Sequence, residues 1–361
     1  YGMKKHTGLS PRVVTIAELF KASGYRTAMA GKWHIGEKNL RPMHQGFEQT
    51  YYILASNNMS RDIYRGDRLV HKQFDNRRLT ETFTKEVIRV INAESERPFF
   101  IYVPFTAPHF PAEAHPRWKG RSENGAYGDV VEELDHRVGE ILDTVKKKGI
   151  EKQTIIVFIS DNGPEPGQRQ FASAAPFSGT KWTSREGGTR VPCIVRWPGV
   201  VKAGQVRDEI VAAIDLYPTL AHACGIKIPS DGQQLDGVNV WDTLVGKDVD
   251  HARTELLYWH GWGKATAIRR GNWKLFFGAG TRNGKDPDID DGPALFNLEE
   301  DPGETNDVSD QHPKIVEELL TLARSRLEDI HRHRVSIGIW EGSEPPTQDT
   351  QPNKRWGKWL R

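Results

Sequence analysis

The sequence predicts an α/β fold: a central, mostly parallel sheet flanked by helices, followed by a small antiparallel sheet with one helix. Three observations predict it. Short apolar runs read as strands at 25–30, 99–103, 154–160 and 193–197, and the run Ile155–Ile159 is apolar enough to be a strand covered on both faces. Amphipathic helical patterns at 79–92 and 130–148 fall between successive runs, as in βαβ connections, and another at 15–23 precedes the first. After residue 250 the texture changes to closely spaced strands and one long helix, dividing the chain into 1–250 and 251–361.

Taken in order, Tyr1 to Pro11 reads as loop. Thr15 caps a helix to about Ser23, with Glu18 three residues on as in a capping box, Ile16, Leu19 and Phe20 on one face, and Gly24 as the stop. Residues 37–78 read as irregular, with turns at Gly46-Phe47 and Asn57-Asn58. Phe83, Val87, Ile88 and Ile91 give the second helix its face, and Arg97-Pro98 breaks the pattern. The third helix, with Val131, Leu134, Val138, Ile141, Leu142 and Val145 apolar, ends at Gly149 and feeds the 154–160 strand. A long loop, 164–180, precedes the 193–197 strand and a short helix from Asp215 to about Cys224; residues 226–250 read as loop with one helical turn. Beyond 250, strands are expected at 256–259, 266–269, 273–277 and 294–298, with a turn at Arg270-Gly271-Asn272, a Gly- and Asp-rich loop at 278–293 and a helix from Pro313 to His331. The tail 341–361 lacks periodicity.

The 361 residues carry a net charge of +2, so no electrostatic argument favours nucleic acid. No apolar run approaches the length of a membrane span. Cys193 and Cys224, the two cysteines, lie outside any metal-ligand spacing and are compatible with a pair or with two free thiols.

Three stretches carry candidate chemistry. Asp161 and Asn162 end a strand, where open α/β sheets place their ligands, and their oxygens suit a hard cation; Asp-Asn-Gly is equally a common turn. Lys32 and His34, two apart and bracketed by Gly31 and Gly36, follow a strand and can point into a cleft, or be a solvated lysine and a packing histidine. His109, between Pro108 and Pro111, has little backbone freedom, which suits a positioned acid or ligand as well as a plain rigid loop.

Gly24–Gly36 closely resembles the second signature of the type I sulfatases, the arylsulfatase family. So do Pro104–His109, Ser160–Gly163, and Lys181–Pro192 with its Glu-Gly-Gly-Thr-Arg-Val-Pro run. Asp215–Thr219, Leu235–Val238, Leu295–Leu298 and Glu300–Asp307 are similar to further blocks of that family, in the family's order. Arg185 stands where the pattern usually has threonine or an aromatic residue. The resemblance implies an alkaline-phosphatase-like fold and Ca²⁺-assisted hydrolysis of a sulfate monoester, either a small ester or a sulfated sugar. It implies that Lys32 and Lys181 hold the sulfate, with Lys181 also reaching the leaving oxygen. His109 would bind sulfate or protonate the leaving group, His34 would assist the nucleophile, and Asp161 and Asn162 would ligate the metal. Periplasmic, secreted or lysosomal location is implied in the same way.

In the family the nucleophile is a formylglycine made within Cys/Ser-x-Pro-x-Arg, and no such motif occurs here: Cys193 begins Cys-Ile-Val-Arg, and Ser10-Pro11-Arg12 has the wrong spacing. The resemblance also implies a first strand, bearing metal-binding aspartates, that this sequence does not contain. The expectations that follow are an incomplete N-terminal portion, no turnover by this chain alone and a weakly held or absent Ca²⁺. A gap in the sheet next to 25–30 and 154–160 is also expected, filled by a second copy, strand exchange or an associated N-terminal fragment. Two other readings stand beside the sulfatase: a non-catalytic protein of this fold that binds anions or a partner, and a phosphate or phosphonate ester hydrolase of the same superfamily.

Overall fold

Strict alternation along two neighbouring strands builds the central sheet. The computed structural model describes residues 7–168, 170–230, 234–247, 253–260, 264–278 and 292–339. The first strand, β1 (Thr7–Gly8), pairs antiparallel with residues 338–339, so the opening segment read as loop contributes a short strand where it is described. Helix α1 (Ile16–Ala22) begins with the expected capping box: the Thr15 hydroxyl accepts from Glu18 N at 3.1 Å, and Glu18 Oε2 accepts from Thr15 N at 2.7 Å. These bonds satisfy amides that the first turn leaves open.

Strands β2 (Arg26–Lys32) and β3 (Gln49–Ile53) run parallel, and β4 (Ile63–Arg65) and β5 (Arg68–His71) add antiparallel to β3. Residues 37–78 therefore hold three strands that the sequence reading assigned to irregular structure. Helix α2 (Leu79–Asn92) leads to β6 (Phe99–Tyr102), parallel to β2 on its other side. The order is β5-β4-β3-β2-β6, a mixed sheet. Ala30, Tyr51 and Ile53 face a core formed with Leu79, Phe83, Val87 and Ile91 of α2 and Val145 of α3 (Gly125–Lys147). Met29, Tyr52 and Leu54 face the opposite way, onto Ala17 of α1, Trp33 and Phe47. Residues one apart on a strand go to opposite layers, and both layers exclude water.

Strand β7 (Ile156–Ile159) departs from expectation. It pairs antiparallel with β8 (Cys193–Arg196), past the short helix α4 (Glu186–Thr189), and the two form a separate sheet. Phe158 and Ile159 are each 38% exposed and Ile194 is 60% exposed, so the apolar run is not covered on both faces. An apolar run records affinity for a core, not how many layers cover it. Strand β2, expected beside a gap, is hydrogen-bonded on both edges. Near the expected gap, β6 and β7 each have a ladder on one edge only, as do the other end strands of the sheets.

Helices α5 (Leu216–Ala223) and α6 (Trp241–Val245) connect to a four-stranded antiparallel sheet. Its strands are β9 (Glu255–His260), β10 (Lys264–Arg270), β11 (Trp273–Phe276) and β12 (Ala294–Asn297), in the order β12-β11-β10-β9. One face packs Ile268, Leu275, Phe277 and Leu295 on Leu319, Ala323 and Leu327 of α7 (Pro313–His333). The loop expected at 278–293 and the tail 341–361 lie almost wholly outside the described residues. Both cysteines are free. No described helix is long and apolar enough to cross a membrane.

Phe83 is fully buried between α2 and the sheet. Phe83→Ala is expected to cost about 3–5 kcal/mol through lost burial and an incompletely collapsed cavity. Denaturant titration measures this directly, and a loss below about 1 kcal/mol would contradict the packing described.

Candidate functional site

The ends of β2, β6 and β7 carry the candidate residues, and main-chain bonds tie those ends together. Lys32 closes β2, and its amide donates to Pro104 O at 2.8 Å in the loop after β6. The close approach requires Gly31, at φ 147°: a Cβ there would lie 2.1 Å from Pro104 O. Beyond Lys32, the Trp33 and His34 amides donate to Ile53 O and Leu54 O, each at 2.9 Å, and the buried Trp33 indole donates to Leu40 O at 2.9 Å. His34 is held at φ 52°, uncommon for a residue with a Cβ and sustained by these contacts.

His109 sits on the loop after β6, its amide donating to Thr106 O at 2.9 Å. Its Nδ1 lies 2.7 Å from Phe110 O. A carbonyl only accepts, so Nδ1 carries the proton and Nε2 remains for a ligand. Asp161 and Asn162 follow β7 in a turn fixed by Gly163 N donating to Gly188 O at 3.0 Å. A Cβ on Gly163 would lie 1.8 Å from Gly187 O, so this turn and α4 meet backbone to backbone. The Asn162 side-chain amide donates to Gly163 O at 2.9 Å. Lys181 is anchored by its amide to Pro164 O at 3.0 Å, and its Nζ pairs with Glu165 Oε2 at 3.0 Å. The sequence reading missed Glu165, which sits in a loop with no periodicity to single it out.

The charged groups at these ends interact. Burial holds Lys32 below its ordinary pKa; Asp161 opposes that shift and Lys181 adds to it. His34 is pushed down to about 4, first by burial and then by Lys32, His109 and Lys181. His109 is also lowered, by burial first; the Phe110 carbonyl opposes, and Lys181 and Lys32 add. The structure thus brings Lys32, His34, His109, Lys181 and Asp161 into one electrostatic cluster. Asn162 is beside it in the chain, with its amide turned to its own backbone. Tyr102, at the end of β6, feels the Asp161 charge as well: burial and then Asp161 raise its pKa.

A Ca²⁺ shell takes about 6–8 oxygens. Asp161 and Asn162 offer oxygens of the right hardness. Among the described residues, however, no group of three or more His, Cys, Asp or Glu side chains is placed to hold a metal ion. The Asp161 charge also acts on Lys32, opposing the fall in its pKa. The described residues alone do not make a complete Ca²⁺ shell.

Behind Lys181 lies a buried ionic lattice. Glu186, at the start of α4, accepts from Tyr258 Oη at 2.9 Å and Lys274 Nζ at 2.9 Å through Oε1, and from Arg269 at 3.2 Å through Oε2. Lys274 also reaches Glu304 Oε1 at 2.8 Å and Ser184 O at 2.7 Å. Glu304 Oε2 accepts from Glu186 N at 2.7 Å. Arg185, the departure from the family pattern, donates to Ser178 Oγ at 2.9 Å and Glu304 O at 2.7 Å. None of these contacts joins residues of one element, so no local pattern announced them.

The cationic crowding predicts the state of His34. Its folded pKa lies below the ordinary 6.5, so as pH falls the unfolded chain takes up this proton first. The stability His34 contributes is therefore present above about 6.5 and lost as pH falls towards about 4. An NMR titration of the imidazole is expected to show a midpoint near 4, moving up in Lys32→Met; a wild-type midpoint between 6 and 7 would contradict the cluster.

The chain is similar to known proteins over most of its length. Residues 1–226 match the sequence model of the sulfatase family, and residues 180–333 match that of the N-sulphoglucosamine sulphohydrolase C-terminal region. Mouse N-acetylgalactosamine-6-sulfatase is 32% identical over 282 residues, 72% of this chain and 53% of that protein. Rat steryl-sulfatase is 26% identical over 98% of this chain and 78% of its own length. A solved structure from work on glycosaminoglycan metabolism by Bacteroides thetaiotaomicron shares 25% identity, covering 90% of this chain and 84% of that one with a TM-score of 0.80. The chain spans about half the length of the N-acetylgalactosamine-6-sulfatase it matches. The ordered motifs, the alkaline-phosphatase-like fold and a family match across more than half the sequence make this chain a member of the sulfatase family.

Proposed function

We propose that the cluster binds the sulfuryl group of a sulfate monoester and serves, in the family's reaction, the hydrolysis ROSO₃⁻ + H₂O → ROH + HSO₄⁻. The observation that carries this reading is the convergence of two ammonium and two imidazole groups on the ends of β2, β6 and the loop past β7, with His34 pushed down to about 4 by burial and its cationic neighbours. A site that holds a histidine neutral has a strong demand for an anion. Lys32 and Lys181 would contact the non-bridging oxygens, where charge is spread in the ester and rearranged in the transition state. Lys181 would leave Glu165 to do so. His109, with Nδ1–H committed to Phe110 O, would present Nε2 to the bridging oxygen and would donate from it once the imidazole has taken up a second proton there, a state the bound ester's negative charge favours; such general-acid help is typically worth about 10²–10⁴ in rate. His34, neutral at pH 7, would accept a proton. Formylglycine is the nucleophile the family resemblance implies. This sequence contains no Cys/Ser-x-Pro-x-Arg motif, so no covalent step is assigned to its residues.

The 361-residue protein is expected to bind 4-nitrophenyl sulfate, measured by calorimetry, without hydrolysing it faster than Lys32→Ala does. Binding is expected to fall at least tenfold in Lys32→Ala, about 1.4 kcal/mol, and to be alike with and without Ca²⁺. Turnover abolished by Lys32→Ala or His109→Ala would reveal a nucleophile not identified above. Binding that requires micromolar Ca²⁺ would make Asp161 part of a full metal site. Binding without turnover also satisfies the anion-binding reading of the fold.

The same reading extends to assembly. The single-sided ladders of β6 and β7, with Tyr102, Phe158 and Ile194 exposed, favour pairing with a strand from a second copy or a separate segment. Light scattering is expected to give a mass above 40.9 kDa that rises with concentration; a monodisperse 40.9 kDa species would contradict it.

A further inference from the structure

Glu165 is charged, stands at the site and has no part in the sulfate contacts proposed above. Its Oε2 lies 3.0 Å from Lys181 Nζ, and among the described residues Lys181 is its one ion-pair partner. Its charge also reaches His109, where it opposes the fall in pKa that burial causes. The backbone builds this pair in. Pro164 and Pro166 flank Glu165, so the main chain on both sides of it has little freedom. The Lys181 amide donates to Pro164 O at 3.0 Å, so the two charged residues hang from one main-chain bond. Gln168 N donates to the Glu165 carbonyl at 2.9 Å and closes the turn Pro166–Gln168 behind it. The Glu165 side chain is 30% exposed and that of Lys181 14%, so solvent and salt screen the pair only in part.

Such a pair does more than neutralise a lysine. At about pH 8, His34 and His109 are neutral, since both are held below the ordinary 6.5. The charges left in the cluster are Lys32 and Lys181 against Asp161 and Glu165, which balance. Asp161 is a candidate metal ligand, whose charge a cation would offset. Glu165 is outside that set, and its charge stays. When Lys181 turns to the ester, Glu165 is left beside it without its partner. It then repels the ester in proportion to the ester's own charge, because a Coulomb energy is a product of charges. A sulfate monoester carries one negative charge. A phosphate monoester carries two above its second pKa of about 6. At the same position, the factor by which Glu165 lowers affinity for the dianion is therefore the square of the factor for the monoanion.

We infer that Glu165 sets the charge preference of the site: its fixed carboxylate lowers affinity for doubly charged esters more than for singly charged ones, and so shifts selection from phosphate towards sulfate monoesters. The inference rests on the sulfate-binding reading above. The test is calorimetry on the full chain at about pH 8 and low salt, with 4-nitrophenyl sulfate and 4-nitrophenyl phosphate, which differ in charge and little in shape. Glu165→Gln keeps the size of the side chain and removes its charge. It is expected to tighten the sulfate ester about threefold and the phosphate ester about tenfold, moving the preference about threefold towards phosphate. Glu165→Asp keeps the charge and is expected to leave that preference within about twofold of wild type. Raising the salt to about 1 M is expected to shrink the difference between wild type and Glu165→Gln, as an effect of charge through space must. Equal gains for the two esters in Glu165→Gln, or no gain, overturn the inference; if sulfate-ester binding still depends on Lys32, the sulfate-binding reading stands without it. Weaker binding of both esters in Glu165→Gln overturns it as well, because the carboxylate then holds Lys181 in place rather than opposing the ligand. Sulfate-ester binding that is indifferent to Lys32→Ala overturns this inference and the sulfate-binding reading together.

Discussion

Glu186 ties the two halves of the molecule to each other. Its carboxylate is 1% exposed, and isolated in such a place it would be neutralised. Burial does push its pKa up, but Lys274 and Arg269, with the Tyr258 hydroxyl, outweigh it and hold Glu186 below the ordinary carboxylate range. Glu304 shares Lys274 and caps the Glu186 amide, and for Glu304 burial dominates and its pKa is raised. A buried ionic lattice of this sort is weak evidence for net stability, because desolvation opposes it. Removing one member is costly, since its partners are left charged and dry. Its value here is geometric. Lys274 belongs to β11 and Tyr258 to β9, whereas Glu186 opens α4, five residues after Lys181. The C-terminal sheet therefore sets where the Lys181 loop lies.

That dependence explains why the four-stranded sheet has one ordinary face and one unusual one. Towards α7 it presents Ile268, Leu275 and Leu295, which any amphipathic helix would accept. The opposite face combines Phe276 and Phe296 with the lattice residues, and Lys274 lies 4.0 Å from the centre of the Tyr258 ring. The aromatic rings keep water from the ion pairs and so strengthen them. The first face holds the sheet together, and the second makes it part of the site's scaffold.

What the sequence revealed follows from how local each signal is. The Thr15–Glu18 capping box, the α2 face and the C-terminal hairpins are set by residues within one turn or one strand of each other, and the structure has them. Strand β3 was hidden because Gln49-Thr50-Tyr51-Tyr52-Ile53 mixes polar and aromatic side chains. Its Tyr52 is nonetheless fully buried, with its ring 5.7 Å from that of Tyr64, a contact across β4 that a linear reading cannot see. Strand β7 failed the other way: five apolar residues promised two covered faces, and coverage depends on which strands lie alongside. Lys32, His34, His109 and Asp161 stood out by their places just past strands and between glycines or prolines, and the family resemblance gave them roles and added Lys181. Glu165 and the Glu186 lattice were not, because their partners are distant in sequence or lie in loops without a pattern.

The clustered residues share one structural device. Each stands within a few positions of a main-chain hydrogen bond that crosses to another loop: Lys32 to Pro104, His34 to Leu54, Gly163 to Gly188, Lys181 to Pro164. Backbone donors and acceptors have no rotamers to lose, so such seams fix the Cα positions of reactive side chains more firmly than side-chain contacts can. At Gly31 and Gly163 the approach is so close that any Cβ would overlap a carbonyl oxygen. Like charges that repel, as Lys32, Lys181 and the two imidazoles do when protonated, would otherwise drift apart into solvent. Held by their backbones, they keep an electrostatic demand that an anion meets without reorganising the protein, which is the condition under which fixed charges act most strongly on a bound ester.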